Sequence, residues 1–173
     1  MHIGKKYGKP MTIIYPGEYY ATEGDEYIAT VLGSCIAVCL HDSAKGVSGM
    51  NHFMLPGKIT EKDKRALDTA SSRYGITAIK TLLEKMYSLG CLKSDLHAKI
   101  FGGGNVIPLN RPQGPVADGN IRLARVMVEL EDIPIVHEDI GGQYTRKIIM
   151  NAPDGKVFLR RMNRTEVSSE EDL

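Results

Sequence analysis

Short runs of hydrophobic and β-branched residues, interrupted by glycine, proline and polar residues, fill both ends of the chain. Runs of this length and composition are typical of β-strands. In chain order, the pattern predicts strands over residues 11–15, 18–22, 27–31, 36–40, 47–55, 96–101, 133–137, 147–150 and 157–161. The strands therefore cluster towards the two ends, and the middle of the chain is left for helices.

The first helical pattern lies in the middle of the chain. Hydrophobic residues recur at helical spacing from Ile76 to Leu89, and Gly90 follows as a residue that readily ends a helix in a left-handed conformation. The charged stretch over residues 58–65 has no such period and predicts a surface loop.

A second helix is predicted from a similar spacing further along. Asp118 or Asn120 is a suitable N-terminal cap, and Pro134 closes the segment. The preceding residues 108–119 contain three prolines and predict a long surface loop. The inner face of this helix is formed by Ile121, Ala124 and Val128.

Nine short strands and two helices predict an α+β fold. The expected architecture is a three-layer α/β/β sandwich: two mixed β-sheets pack face to face, and the helices cover one outer face. A chain of 173 residues suits one domain, which we place at residues 1–164. The Ser-rich and acidic residues 165–173 are expected to form a disordered tail.

Charge and cysteine content narrow the classes of partner and compartment. The 22 basic and 21 acidic residues leave a formal charge of +1, so no overall field attracts nucleic acid or an anionic membrane. The longest hydrophobic runs are far shorter than the roughly 20 residues that cross a bilayer. Three cysteines, an odd number, favour a reducing compartment, and we expect the cytoplasm.

Cys35 is the strongest candidate for chemistry. It follows Gly33 and Ser34, which allow a sharp backbone turn whose amides are left free to bind a developing oxyanion. His52 lies on the next predicted strand. A hairpin in which opposed residue numbers sum to 87 or 88 would place it beside Cys35. We expect an imidazolium there to favour the thiolate of a nucleophilic cysteine. The alternative is a buried structural cysteine.

The other thiols and imidazoles are weaker candidates. Cys39 and Cys91 lack a Gly-Ser turn and are interpreted as structural residues. His41 competes with His52 as a base, but six residues of extended strand would put it roughly 20 Å from Cys35. A zinc site from Cys35, Cys39, His41 and His52 is a further alternative, although two cysteines about 13 Å apart on a strand suit zinc poorly.

Thr30 is a polar residue at the end of a hydrophobic strand, immediately before the turn. Its hydroxyl is placed to contact a substrate or the imidazole, and an ordinary β-branched strand residue is an equally good interpretation. The glycines at 102–104 and 141–142 lack the Lys-Ser/Thr of a phosphate-binding loop. Close backbone packing is the better interpretation of both runs.

Five segments resemble the chemoreceptor glutamine deamidases, the CheD family of bacterial chemotaxis. They are TVLGSC at 30–35, NHFMLP at 51–56, AKIFGGG at 98–104, EDIGG at 138–142 and RK at 146–147. The likeness covers roughly residues 12–161 in the order of the family. It implies an α/β/β sandwich and hydrolysis of glutamine side chains to glutamate on methyl-accepting chemoreceptors, through a cysteine thioester.

The resemblance also implies roles for individual residues. Cys35 matches the nucleophile, His52 the general base and Thr30 the third active-site residue, while Gly33 and Ser34 support the oxyanion through their backbone. No cofactor or metal is implied. The partners implied are the helical cytoplasmic domains of chemoreceptors and, in some members, a CheC-type phosphatase. A non-catalytic module that regulates such a phosphatase is therefore the alternative function.

Overall fold

The computed structural model describes residues 1–6, 8–54, 70–106 and 114–163. The expected loop at 58–65 and the expected tail at 165–173 lie outside these residues, as does part of the loop expected at 108–119. The described elements are ten strands, two α-helices and one short 3-10 helix (Lys93–Asp95). The strands are β1 (His2–Lys6), β2 (Lys9–Ile13), β3 (Tyr19–Thr22), β4 (Tyr27–Leu32), β5 (Ile36–Asp42), β6 (Val47–Asn51), β7 (Leu96–Gly102), β8 (Ile135–Ile140), β9 (Thr145–Asn151) and β10 (Lys156–Met162). The helices are α1 (Ala70–Ser88) and α2 (Gly114–Leu130).

The strands form two mixed sheets. The first sheet has the order β1-β2-β4-β9-β10 and the second has the order β3-β6-β5-β7-β8. One pair in each sheet is parallel, β2 with β4 and β7 with β8, and the other pairs are antiparallel. Together with the two helices, these sheets confirm the expected α+β sandwich.

Strand β5 explains how the layers are held together. Every second residue of this strand, Ile36, Val38 and Leu40, packs in a core cluster with residues of α1 and α2. The residues between them, Ala37 and Cys39, pack against hydrophobic residues of the first sheet. Because successive side chains of a strand point to opposite faces, a central strand with a core on each side is hydrophobic throughout. Helices therefore cover the outer face of the second sheet, as expected.

Several boundaries differ from the expectations, among them the start of α2 and the end of β8. Helix α2 begins at Gly114, so Asp118 and Asn120 lie inside it and neither is its N-terminal cap. Proline is tolerated in a first helical turn, so Pro115 does not prevent an early start. Strand β8 extends to Ile140 and the turn begins at Gly141, where φ is 71°.

Strand β1 was not expected at all, because its sequence lacks a hydrophobic alternation. It pairs with β2 from His2 opposite Ile13 to Lys6 opposite Lys9. Such an edge strand is held by backbone hydrogen bonds rather than by a hydrophobic face, which leaves little signal in the sequence. Within the described residues, no helix combines the length and the hydropathy that a membrane span requires.

Candidate active site

Cys35, His52 and Thr30 line one cavity at the edge where the two sheets meet. Its volume is about 130 Å³. Thr30 lies in the first-sheet strand β4, two residues before its end. Cys35 directly precedes β5 and His52 directly follows β6, both in the second sheet. Tyr15, which is 44% exposed, also lines the cavity and lies at its surface side. The remaining lining residues are Ile13, Ile14, Pro16 and Val31.

The register that brings Cys35 and His52 together differs from the one expected. Ile36 and Phe53 exchange two backbone hydrogen bonds of 2.9 Å, so opposed residue numbers sum to 89 rather than to 87 or 88. His52 is therefore opposite Ala37, not opposite Cys35. Because Cys35 and Ala37 are two residues apart, their side chains share the face towards the first sheet, and His52 still faces the side on which Cys35 lies.

Thr30 determines which nitrogen of the His52 ring carries the proton. The Thr30 hydroxyl donates to the Ile14 carbonyl oxygen at 2.7 Å, and its oxygen lies 2.8 Å from His52 Nδ1. A hydroxyl has one proton to donate, so towards Nδ1 it acts as the acceptor and Nδ1 carries the hydrogen. Nε2 is then the nitrogen with a free lone pair. It is buried and has no hydrogen-bond partner among the described residues.

The resting site holds a neutral thiol and a neutral imidazole. Burial lowers the pKa of His52 to about 4, against weaker opposing effects of the Ile14 carbonyl and Glu18. Burial likewise raises the pKa of the Cys35 thiol above its ordinary value. The expectation of an imidazolium that favours a resting thiolate is therefore wrong. For both groups, burial removes the hydration that stabilises the charged form, and the surrounding charges and hydrogen bonds do not compensate for that loss.

The turn that carries Cys35 is held through its three carbonyl groups. The Gly104 N–H donates to the Gly33 oxygen at 2.8 Å, and the Gly103 N–H donates to the Cys35 oxygen at 2.7 Å. The Ser34 oxygen accepts the third hydrogen bond, from Asn120 Nδ2 at 2.7 Å. Among the described residues, neither the Ser34 N–H nor the Cys35 N–H has a backbone acceptor, which agrees with amides left free for an oxyanion.

The glycine run after β7 serves this turn. A Cβ atom on Gly102 would lie only 2.2 Å from the Cys35 oxygen, and φ at Gly102 is 112°. A Cβ on Gly104 would come within 3.2 Å of the Gly33 oxygen. The approach of the two backbones therefore requires residues without a side chain. Close backbone packing, expected for both glycine runs, is found at Gly102 and Gly104, whereas a Cβ atom on Gly141 would meet no atom within 4 Å.

The remaining sequence candidates lie elsewhere or have other partners. Cys39 is 1% exposed, and burial raises its pKa to about 12. His41 Nδ1 is hydrogen-bonded to the Ser48 hydroxyl at 2.9 Å. The described residues contain no group of three or more His, Cys, Asp or Glu side chains that could hold a metal ion.

Asn120 and Arg146 were missed as residues that support the site. Asn120 is fully buried in α2, and Arg146 is fully buried in β9, where it donates to Asp139 and to the Gly141 oxygen at 2.7 Å. Gly141 in turn donates to the Gly102 oxygen at 2.9 Å. Asn120 precedes Ala124 by four residues and Met127 by seven. A polar residue on the hydrophobic face of a helix was therefore the available signal.

Comparisons with known proteins identify the same family that the five sequence segments resemble. The family model described as CheD chemotactic sensory transduction matches residues 54–161. The probable chemoreceptor glutamine deamidase CheD of Hahella chejuensis is 43% identical over 95% of this chain and 78% of its own length. Proteins of the same name from Laribacter hongkongensis and Janthinobacterium sp. are 40% and 39% identical, over 89% and 92% of this chain and 75% and 79% of their own lengths.

Among solved structures, the Bacillus licheniformis hypothetical protein YfiH is a weaker match. It is 13% identical, with a TM-score of 0.43 over 72% of this chain and 49% of that chain. A likeness of this size has no bearing on the site.

Proposed function

This chain belongs to the CheD family, and from that premise we propose that it hydrolyses glutamine side chains of methyl-accepting chemoreceptors to glutamate. The reaction proceeds through a thioester on Cys35. The observation that carries the proposal is one cavity lined by the Cys35 thiol and by an imidazole whose Nε2 has no hydrogen-bond partner among the described residues. The relatives named chemoreceptor glutamine deamidases support the same substrate class.

In the first half of the reaction, His52 acts as a general base. Its Nε2 takes the thiol proton as the Cys35 sulfur attacks the glutamine Cδ, so proton transfer and attack proceed together from a neutral pair. The amides of Ser34 and Cys35 stabilise the oxyanion. The imidazolium then gives its proton to the leaving amide nitrogen, the C–N bond breaks and ammonia departs.

In the second half, water cleaves the thioester. His52 takes a proton from the water as its oxygen attacks the carbonyl carbon, and the C–S bond breaks. The sulfur recovers a proton, and glutamate is released. The imidazole therefore ends neutral, as it began. The thiol and imidazole supply the nucleophile and the proton transfer, so the proposed reaction uses no metal or organic cofactor.

Thr30 has an indirect role in this proposal. It accepts the hydrogen bond from His52 Nδ1 and so keeps Nε2 as the basic nitrogen. Thr30 is 1% exposed, so we propose that its hydroxyl orients the base and does not contact the substrate. Gly33 and Ser34 act through the backbone of the turn.

We further propose that residues 1–164 form one deamidase domain that works in the cytoplasm on the helical signalling domains of the receptors. Three free cysteines suit a reducing compartment. A balanced charge favours neither nucleic acid nor an anionic lipid surface as a partner. Whether a CheC-type phosphatase also binds this domain is decided by the experiment below.

The test is incubation of the protein with a purified cytoplasmic fragment of a chemoreceptor. The expected result is release of ammonia and conversion of particular glutamines to glutamates, located by peptide mass spectrometry. A second arm measures binding of a CheC-type phosphatase. If the phosphatase binds and no receptor fragment is modified, the deamidase function is refuted and the protein is a non-catalytic module that regulates the phosphatase.

A further inference from the structure

We infer that Asn120 is a positioning residue for the oxyanion site, because its hold on the Ser34 carbonyl aims the Cys35 N–H into the cavity. This inference rests on the proposed deamidase function. We call residues 33–35 the nucleophile turn. Three hydrogen bonds hold its carbonyl groups, and the one accepted by Ser34 comes from a side chain. It is therefore the one that a substitution can remove.

Peptide geometry connects the two groups. The Ser34 C=O and the Cys35 N–H belong to the same peptide unit, and the described chain contains no cis peptide bond. In a planar trans peptide the C=O and N–H point in opposite directions. Fixing the carbonyl on Asn120 Nδ2 at 2.7 Å therefore fixes the direction of the Cys35 N–H.

That direction is towards the cavity. Asn120 is part of α2, which packs on the outer face of the second sheet through Leu123, Ala124 and Val128. Cys35 instead packs against the core between the two sheets and lines the cavity. The carbonyl points to the helix side, so the N–H points to the cavity side.

The anchor itself is firmly seated. Asn120 is 0% exposed. The next residue, Ile121, packs so closely on Gly103 that a Cβ there would lie 2.5 Å from its side chain. Gly103 also donates to the Cys35 oxygen. Helix α2 therefore contacts the nucleophile turn directly through Asn120 and indirectly through Ile121, which limits how far the turn can move.

The experiment compares wild type with Asn120→Ala in two reactions of the same thiol. Deamidation of a receptor fragment develops an oxyanion, whereas alkylation of Cys35 by iodoacetamide displaces iodide from a saturated carbon and does not. We expect kcat for deamidation to fall about 10²-fold, as it does when one oxyanion donor is lost, with KM unchanged. The alkylation rate of Cys35, followed by peptide mass spectrometry, is expected to stay within about twofold.

Ser48→Ala is the matched control. Ser48 is also 0% exposed, and its hydroxyl donates to the Ala152 carbonyl at 2.6 Å, so this variant too loses a buried hydrogen bond from a side chain to a carbonyl. It should lower Tm without lowering kcat. If Asn120→Ala does not fold, Asn120→Ser is measured in the same two reactions and decides the question.

The outcomes separate this inference from the proposed function. Wild-type protein that deamidates no receptor refutes the function and this inference with it. Active wild type with an unchanged kcat in Asn120→Ala refutes the inference alone. A parallel fall of deamidation and alkylation, or a rise in KM alone, also overturns it, because Asn120 would then hold the sulfur or the substrate rather than the oxyanion donor.

Discussion

Cys35 and Cys39 lie four residues apart, pack in the same core between the sheets, and yet have different surroundings. Cys39 is in the middle of β5, 1% exposed, with a pKa that burial raises to about 12. Cys35 precedes the strand on a turn, is only partly buried, and lines a cavity with His52. Burial raises the pKa of both thiols. A low thiol pKa therefore does not distinguish the candidate nucleophile from the structural cysteine.

The difference between the two thiols lies in access and in the groups around them. Cys35 shares a cavity with a base whose free nitrogen is defined by Thr30, and its own carbonyl is held by the Gly103 N–H. Cys39 has strand neighbours on both sides, opposite Met50 and Lys99. A buried neutral thiol becomes useful only where a base is in reach at the moment of attack.

The largest effect is expected when each of the two cysteines is replaced separately by alanine and the two variants are compared. Cys35→Ala removes the nucleophile and should slow deamidation about 10⁴-fold or more, as loss of a nucleophile does in comparable enzymes. Cys39→Ala should leave the rate unchanged and lower the free energy of unfolding by about 1 kcal/mol, because it opens a small cavity in the core. Rates are measured on a receptor fragment and stability by urea unfolding. If Cys39→Ala deamidates slowly and Cys35→Ala at the wild-type rate, Cys39 and not Cys35 is the nucleophile.

The two histidines provide the next comparison. His52→Gln removes the general base and should lower kcat about 10²- to 10⁴-fold. His41→Gln is the matched control, since His41 is hydrogen-bonded to Ser48 away from the cavity. Its kcat should equal that of wild type in the same assay. Equal losses in the two variants would contradict the assignment of the base.

A smaller effect is expected at Thr30. Thr30→Val keeps the shape of the side chain but removes the acceptor of the Nδ1 hydrogen bond, so the tautomer of His52 is no longer fixed. The variant loses the hydrogen bonds of the hydroxyl to His52 Nδ1 and to the Ile14 oxygen, and we expect kcat to fall about 10- to 100-fold. Thr30→Ser retains the hydroxyl and should retain most of the activity. If both variants are equally impaired, the methyl group and not the hydroxyl is the important part of Thr30.

The smallest effect is the pH dependence of the wild type. The pKa of His52 is about 4 in the folded protein and near the ordinary 6.5 in the unfolded chain. Between these values the unfolded chain binds more protons, so stability falls as pH decreases from 6.5 towards 4. The acid limb of kcat/KM should have its midpoint near pH 4. A midpoint of kcat/KM near pH 6.5 would show that the imidazole is not desolvated. In His52→Gln, the free energy of unfolding should no longer fall between pH 6.5 and pH 4.

Much of this arrangement could be predicted from the sequence. The hydrophobic runs located nine of the described strands and both helices, because their periods differ clearly. The Gly-Ser turn pointed to Cys35, and the next strand to His52. Since faces repeat every two residues, the observed sum of 89 leaves both side chains on one side of the sheet, as the expected sum of 87 does, whereas the alternative sum of 88 would separate them.

The predicted register was wrong because the ends of the strands at the β5–β6 hairpin differ from the expected ones. His41 and Asp42 are polar and resemble loop residues, but both belong to β5. The His41 ring is hydrogen-bonded to Ser48, and Asp42 Oδ1 accepts the N–H groups of Ala44 and Lys45 at 3.0 Å. Hydrogen bonds of this kind allow polar residues to occupy partly buried or buried strand positions beyond the hydrophobic pattern. The pairing of Asp42 with Val47 then shifts every opposed pair.

The position of Asn120 on the hydrophobic face of α2 singles the residue out, but its hydrogen-bond partner could not be predicted, for a different reason. Its partner, the Ser34 carbonyl, is 86 residues away in the chain, and the contact depends on how α2 lies over the second sheet. Neither residue type indicates that contact. The early start of α2 at Gly114 likewise moved Asn120 from an expected cap into the helix, where its side chain faces the nucleophile turn.

The most direct test of the central claim follows activity and thiol modification in one sample of wild-type protein. Iodoacetamide is added in small amounts, and at each step the fraction of Cys35 that is alkylated is compared with the remaining deamidation rate. The account requires activity to fall linearly to zero as Cys35 becomes modified, while Cys39 and Cys91, whose burial raises their pKa values to about 12 and about 11, stay unmodified. Deamidation that persists in fully Cys35-alkylated protein would contradict it.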